Sequence, residues 1–273
     1  MKLMRCAVAY FFAFALGTSL AQTGEAPFEP ISGQAGKDVV WVPTPAATVE
    51  RMLDMARVTP QDFVMDLGSG DGRNIIAAAK RGARGLGVEF NPKMVQLSQV
   101  AADKEGVGDK AQFVEGDMFA ADISQATVLA LFLLPDNLSK LAPRFLNLRP
   151  GTRIVVNTFG IEGWTAEQSD TVSGDCSEWC KVMLYVVPAR VAGSWRFAQG
   201  ELTLVQNAQT LSGTFSSGGF STPIEKGQVS GDRISFTAGG VEFAGRVNGE
   251  TIAGEMNGST GGPWAATRVR ATG

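Results

Sequence analysis

The stretch from residue 63 to residue 159 alternates between short apolar runs and longer segments whose apolar residues recur every three or four positions. Short runs indicate strands and the longer repeats indicate helices. Strands are predicted at 63–67, 85–88, 112–115, 127–132 and 153–159, and helices at 45–58, 73–81, 92–104 and 135–148. A further strand at 181–187 is predicted as an antiparallel edge. Strands that alternate with helices predict an α/β fold, a doubly wound and mostly parallel sheet.

The pattern changes near Pro188, after which the chain is rich in glycine and alternates with a period of two. Turn signals stand at 230–232 and 248–249. Seven strands are predicted at 202–205, 209–214, 227–229, 233–237, 242–247, 251–256 and 264–268. Hairpins joined this closely predict a small antiparallel β domain, a barrel or a sandwich. It carries no recognisable chemistry, so partner binding, ligand binding and stabilisation are its candidate roles.

The amino terminus has the pattern of a secretory signal peptide over residues 1–21. Lys2 and Arg5 precede an apolar stretch, and Ser19 and Ala21 form a small-x-small cleavage site. The stretch is too short to span a bilayer as a helix. We therefore expect an exported protein, periplasmic or secreted, without stable membrane insertion after cleavage. A linker at 22–40, an α/β domain at 41–190 and a β domain at 191–273 are predicted to follow.

Composition removes several classes of chemistry. The chain contains no histidine, which excludes His-based triads, His metal sites and imidazole proton transfer. Its formal net charge is −3, so no basic field indicates nucleic acid as a partner. Cys176 and Cys180 follow the signal, and in an oxidising compartment a local disulfide is favoured. Half of a zinc site is the alternative, but no further ligands are in view, and no metal site is predicted.

Candidate chemistry gathers where the predicted strands end. The first strand carries Asp66 and runs into a turn with glycines at 68, 70 and 72. A dinucleotide-binding turn would need its third glycine at position 73. Glu89 and Asp117 close the next two strands, and the carboxyl ends of parallel strands share one edge of a sheet. Each acid alone has a simpler interpretation as a turn or strand-end residue. Asp71 is as readily interpreted as a helix cap.

This spacing resembles the first motif of class I S-adenosylmethionine-dependent methyltransferases. Within that class, the chain resembles the archaeal broad-specificity protein-lysine methyltransferases and the related mitochondrial lysine methyltransferases. The resemblance covers roughly residues 39–165. It rests on the motifs at 42–45, 66–73, 87–92, 115–119, 126–128, 131–135 and 149–153. Asn157, Thr158 and Gly160 stand where the family often carries a histidine and acidic residues.

The resemblance implies a Rossmann-like sheet of seven strands, S-adenosyl-L-methionine as cofactor and methylation of lysine ε-amines. Glu89 would hold the ribose hydroxyls. Asp117 would accept a hydrogen bond from the adenine amino group, with Met118 packed on the ring. The residues predicted to bind the cofactor are Thr44, Asp66, Gly68, Ser69, Gly70, Gly72, Glu89, Asp117 and Met118. Residues 133–135 replace the Asp/Asn-Pro-Pro-aromatic signature of nucleic-acid amino-methyltransferases, which argues against a base as acceptor.

Methyl transfer to an amine requires mainly positioning and a dry, apolar channel that favours the neutral amine. Phe132 and Trp164 are the predicted catalytic channel walls. For Phe159, a place in the channel wall and ordinary core packing are equally favoured interpretations. The acceptor is predicted to be a protein, with a small molecule as the alternative. An exported binding protein that keeps the fold without turnover is the third hypothesis, with the β domain as its working part.

Overall fold

The computed structural model describes residues 28–269 except 175, 199, 259 and 260. The predicted signal peptide therefore lies outside the described residues, as does the start of the predicted linker. The amino-terminal unit contains four helices, α1 (Ala46–Met55), α2 (Arg73–Lys80), α3 (Pro92–Lys104) and α4 (Pro135–Phe145). Its strands are β1 (Phe63–Leu67), β2 (Arg84–Glu89), β3 (Ala111–Glu115), β4 (Val128–Leu131), β5 (Arg153–Asn157), β6 (Gln168–Thr171) and β7 (Lys181–Val186).

These seven strands form one sheet in the order β3-β2-β1-β4-β5-β7-β6. The first five run parallel, and β7 lies antiparallel to β5. The predicted fold class, a mostly parallel seven-stranded sheet, is confirmed. One detail was wrong, because β7 is an inner strand. The edge is β6, a polar and largely exposed strand that pairs with β7.

Alternation along the strands divides the core into two layers. On β1, Met65 and Leu67 face one layer and Val64 faces the other. The same division recurs on β4 and β5, because successive side chains of a strand point to opposite faces. Helix α4 covers the first face, whereas α1, α2 and α3 cover the second. The two faces are thus buried by helices, and the strand ends remain at the edge where a ligand can approach.

The carboxy-terminal unit is a closed barrel of eight antiparallel strands. They are β8 (Gly193–Phe197), β9 (Gly200–Asn207), β10 (Thr210–Ser217), β11 (Phe220–Ser230), β12 (Arg233–Ala238), β13 (Val241–Asn248), β14 (Thr251–Asn257) and β15 (Gly262–Arg268). Of the two predicted architectures the barrel is the correct one, and β8 was not predicted. Aromatic side chains fill its interior, with ring centroids 4.7 Å apart for Phe236 and Phe243 and 5.1 Å for Phe197 and Trp264.

Within the described residues no helix is long and apolar enough to cross a membrane.

Candidate active site

The turn after β1 is tied to β2 through the backbone. The N–H groups of Gly68 and Ser69 both donate to the carbonyl of Val88, at 2.8 and 3.1 Å. Gly70 follows with φ of +55°, a left-handed conformation that side chains rarely adopt. A Cβ there would lie 2.6 Å from Nε1 of Trp41, so the indole packs directly on the bare backbone. The turn therefore requires glycine for both conformation and close approach.

Helix α2 begins immediately beyond this turn. Its N-cap position is occupied by Gly72, at φ of +78°, which makes no side-chain cap hydrogen bond. Asp71 stands one residue earlier, and its Oδ1 accepts the N–H of Arg73, the first residue of α2, at 3.4 Å. The predicted capping by Asp71 is therefore limited to this long bond, and its carboxylate also pairs with the guanidinium of Arg73. The same guanidinium donates to the backbone carbonyl of Thr44 at 2.5 Å. The buried Thr44 is thus joined to the glycine turn through Arg73.

Glu89 ends β2 with its carboxylate held by two backbone amides. Its Oε2 accepts the N–H of Gly70 and its Oε1 accepts the N–H of Asn91, each at 2.9 Å. A carboxylate oxygen can accept two hydrogen bonds, so each retains one free direction. The side chain lines the cleft beside the turn. This arrangement orients Glu89 for a diol, as a ribose requires.

Asp66 is buried beneath the same turn and accepts a hydrogen bond from Nδ2 of Asn74 at 3.0 Å. Burial raises the pKa of Asp66 well above its ordinary value, the bond from Asn74 opposes this, and the charges of Glu89 and Asp71 add to it. A nearby cation stabilises such a carboxylate in its charged form. Oγ of Ser69 and Oδ1 of Asn74 are also buried, and neither has a hydrogen-bond partner among the residues that the structure describes.

Asp117 lies two residues beyond β3 and already has partners. Its Oδ2 accepts from Nζ of Lys37 at 2.6 Å, and its Oδ1 accepts the N–H of Phe119 at 2.8 Å. The hydrogen bond from Lys37 holds the pKa of Asp117 below its ordinary value and raises the pKa of Lys37. Met118 is buried and lines a smaller cleft together with Asp117 and Glu89. The two predicted adenine contacts, Asp117 and Met118, therefore line the same smaller cleft, and Lys37 lines it too and pairs with Asp117.

The segment ahead of α1 packs over the strand ends. Ala35 and Val40 form an isolated antiparallel bridge, and Asn137 on α4 donates to the carbonyl of Asp38. Its described part is therefore packed on the domain, which corrects the expectation of a loose linker up to residue 40. The residues that line the main cleft are Gln34, Ala35, Gly36, Val39, Val40, Trp41, Val42, Pro43, Thr44, Asp66, Gly68, Ser69, Gly70, Asp71, Arg73, Asn74, Glu89, Asn91, Met94 and Phe132.

Comparison with known proteins identifies the class of this site. Residues 66–168 match the family model described as the ANTKMT methyltransferase domain. A protein-lysine N-methyltransferase of Saccharolobus islandicus is 43% identical over 133 residues, which are 48% of this chain and 83% of that protein. The chain belongs to the S-adenosylmethionine-dependent methyltransferases.

Other relatives agree on the class. The methyltransferase is 32% identical to the adenine nucleotide translocase lysine N-methyltransferase of Mus musculus over 128 residues, 46% of this chain but only 56% of that protein. A crystal structure of an RNA methyltransferase from Salinibacter ruber, in complex with S-adenosyl-L-homocysteine, is 41% identical and superposes with a TM-score of 0.52. It covers 55% of this chain and 96% of that one. The predicted family, enzyme class and methyl donor are confirmed.

The cleft residues of the methyltransferase fit S-adenosyl-L-methionine. The glycine turn exposes backbone to the cleft, and Glu89 presents free lone pairs for the ribose. Asp66 lines the same cleft, where a cationic methionyl end would favour its charged form against the burial that raises its pKa. Ser69 and Asn74 line the cleft too, each with a buried unpartnered polar atom. Asp117 and Met118 line the adjoining smaller cleft. Eight of the nine predicted cofactor residues thus line one of the two clefts. The exception is Gly72, which lines neither and packs against Phe113 and Ser98 at the start of α2.

The two residues that were predicted to form the channel walls, Phe132 and Trp164, lie in different places. Phe132 lines the cleft. Trp164 is 5% exposed and packs against Tyr185 in the core, with ring centroids 5.5 Å apart, so its assignment as a channel wall is wrong. Phe159 instead lies beside Phe132, with centroids 6.4 Å apart. Trp179 contacts both rings and was not predicted from the sequence.

Those cysteines form the predicted disulfide between Cys176 and Cys180. The zinc alternative finds no support, because the described residues contain no group of three or more His, Cys, Asp or Glu that could hold a metal ion. Helix α1 lies against this loop, since Oγ1 of Thr48 is 3.5 Å from Sγ of Cys176.

Proposed function

We propose that this methyltransferase transfers the methyl group of S-adenosylmethionine to lysine ε-amines of proteins. The observation that carries the proposal is the acceptor side of the cleft, where Phe132 and its aromatic neighbours provide apolar walls in a chain without histidine. Such a site favours an acceptor that becomes reactive by losing its charge in an apolar environment. The protein-lysine N-methyltransferase of S. islandicus supports the same acceptor.

The residues of this chain have distinct tasks in that reaction. Glu89 fixes the ribose and Asp66 balances the positive charge of the methionyl end. The donor, when bound, supplies an electrophilic methyl group on a sulfonium. Phe132 and its neighbours exclude water and lower the pKa of the entering amine, so the neutral form is available without a dedicated base. The remaining requirement is alignment of the amine nitrogen with the methyl carbon.

RNA is the competing acceptor, because the Salinibacter ruber relative carries that description. Two features of this chain favour protein. Its net charge of −3 provides no basic field for a phosphate backbone. The Leu-Leu-Pro sequence at 133–135 also lacks the polar residue that begins the signature of base amino-methyltransferases.

We further propose that the protein acts outside the cytoplasm, as the pattern of residues 1–21 and the disulfide suggest. The barrel, whose interior is filled by aromatic rings, would contribute through its outer surface, by stabilising the enzyme or by binding a partner.

The test uses protein recovered from the exported fraction, whose first residue is expected near Gln22. It is incubated with methyl-labelled donor and either exported proteins or total RNA, and the labelled products are hydrolysed and separated. Methyllysine in the protein samples is the expected product. Label confined to nucleosides or to small molecules would refute the lysine assignment while leaving the enzyme class intact.

A further inference from the structure

Three aromatic side chains meet beside the donor cleft. Ring centroids are 6.4 Å apart for Phe132 and Phe159, 5.7 Å for Phe132 and Trp179, and 6.0 Å for Phe159 and Trp179. We name these three residues the aromatic cluster. Phe132 belongs both to the cluster and to the lining of the donor cleft. The cluster is therefore continuous with the place where the reactive methyl group must be presented.

Strand pairing brings the cluster together. The last residue of β5, Asn157, pairs with Val182 on β7. Beyond that pair the two segments of the chain continue side by side, and the N–H of Thr158 donates to the carbonyl of Lys181 at 2.7 Å. Phe159 and Trp179 are the next aromatic residues on either side. The sheet itself thus sets their distance from each other.

Trp179 lies inside the loop closed by Cys176 and Cys180. Its backbone has φ of +60°, which is uncommon for a residue with a large side chain, and the residue is 37% exposed. Core packing alone does not account for a large aromatic residue with this conformation and this exposure. The exposed carboxylate of Glu178 precedes it. The loop therefore carries an aromatic ring and an exposed carboxylate at adjacent positions.

We propose that the aromatic cluster is the binding site for the acceptor lysine side chain, with Trp179 as its specificity-determining residue and the disulfide as the device that holds Trp179 in place. This inference rests on the proposed function. The aliphatic part of lysine packs on aromatic faces. The half-exposed ring of Trp179 attracts the ammonium group at the rim, and the amine loses its proton only deeper in the cleft, beside Phe132. The family model ends at residue 168, so Trp179 and the disulfide lie beyond the matched region.

The experiment compares Trp179→Ala, Trp179→Phe and the double variant Cys176→Ser with Cys180→Ser. The matched control is Phe220→Ala, which removes an exposed aromatic residue of the barrel. Two peptides serve as probes, acetyl-Gly-Gly-Lys-Gly-Gly-amide and the same peptide with norleucine in place of lysine. Binding of each peptide to protein saturated with S-adenosylhomocysteine is followed by NMR. Affinity for S-adenosylhomocysteine is measured separately by calorimetry, and thermal unfolding checks the fold.

We expect Trp179→Ala to weaken lysine-peptide binding about tenfold, a typical loss for a central aromatic contact. Affinity for S-adenosylhomocysteine should stay unchanged, and Trp179→Phe should restore most of the binding. The cysteine variant should weaken the peptide in the same direction, whereas Phe220→Ala should not. The norleucine peptide should bind less well than the lysine peptide to the wild-type protein.

Two results would overturn the inference. One is equal peptide affinity in the wild-type protein and Trp179→Ala, and the other is the absence of lysine-peptide binding to the wild-type protein. If the double cysteine variant binds the lysine peptide as tightly as the wild-type protein, the disulfide does not hold Trp179 in place and that part of the inference is refuted. These outcomes are separate from the fate of the proposed function, which depends on methyllysine formation. Peptide binding that depends on Trp179, without methyl transfer to any protein, would keep the site and refute the activity.

Discussion

Replacing Glu89 by alanine should weaken binding of S-adenosylmethionine far more than replacing Glu115, its neighbour on β3, by alanine. The carboxylate is fixed at the end of β2 by the N–H groups of Gly70 and Asn91, each 2.9 Å away. These two bonds use one lone pair on each carboxylate oxygen, so one lone pair on each oxygen can accept a further bond. A ribose diol supplies two hydroxyl donors. The substitution removes both hydroxyl contacts and also leaves the two amides without their acceptor.

The expected size follows from the number of bonds. A hydrogen bond to a charged group contributes about 1.5–3 kcal/mol, so two contribute about 3–6 kcal/mol. Each tenfold change in affinity corresponds to about 1.4 kcal/mol, which gives a loss of about 100-fold or more in donor affinity. The lower end of this range is expected, because Glu89 is only half-buried and water can replace part of the lost interaction.

Calorimetric titration with S-adenosylmethionine measures the effect directly. Glu115→Ala is the matched control, because Glu115 pairs with Glu89 in register at the end of β3, is exposed and does not line either cleft. Its donor affinity should equal that of the wild-type protein. If Glu89→Ala binds the donor within about threefold of the wild-type protein, a change below 1 kcal/mol, the ribose is held elsewhere and the site has been misplaced.

Two further predictions concern stability and the cover of the cleft. Asp62→Asn should lower the free energy of unfolding by about 2 kcal/mol in urea, because it breaks a charged hydrogen bond between the buried Asp62 and the partly exposed Arg153. The exposed pair of Asp232 and Arg246 is the control, and Asp232→Asn should cost less than about 1 kcal/mol. Burial raises the pKa of Asp62, but bonds from Thr127 and Thr59 and the charge of Arg153 outweigh it and leave the pKa below 3.8. The stabilisation by Asp62 is therefore present above pH 3.8 and is lost as the pH falls through the lowered pKa, so equal acid sensitivity of the variant would contradict it. Lys37→Met should tighten donor binding at low salt because it frees Oδ2 of Asp117, with the difference shrinking at high salt; weaker binding by calorimetry would show that Lys37 helps to hold the donor.

The helices and strands that could be predicted from the sequence are those whose buried residues follow a regular local hydrophobic pattern. Strand β1 and helix α3 were predicted with the bounds that the structure has, because an apolar run stops at the glycine turn and Pro92 follows a capping Asn91. Strand β6 was missed because all its residues are polar and none is buried, so only pairing with β7 makes it a strand. Strand β11 was predicted too short, since a register shift between Glu225 and Gln228 interrupts its alternation.

The site residues also fall into two groups, those that local sequence could predict and those that depend on distant partners. Asp66, Glu89 and the glycine turn are close in sequence to the strand ends that position them, and local pattern was sufficient to find them. The pair of Lys37 and Asp117 joins residues 80 positions apart, and no local signal announces it. Trp164 was misassigned because its partner Tyr185 comes from β7, a strand whose place in the sheet was predicted wrongly.

The origins of the two halves of the cleft suggest how acceptor choice can vary within one donor site. The predicted donor contacts come from the ends of β1, β2 and β3, and further lining comes from the segment that packs over them. The family model includes most of these positions. The acceptor wall depends on a different pairing, that of β5 with β7, and on a disulfide loop outside the family model. Phe132 belongs to both halves, since it lines the donor cleft and contacts Trp179. Changes in the loop around Trp179 can therefore reshape the acceptor side while Asp66 and Glu89 keep their geometry, which is the arrangement expected when related enzymes share a methyl donor and differ in what they methylate.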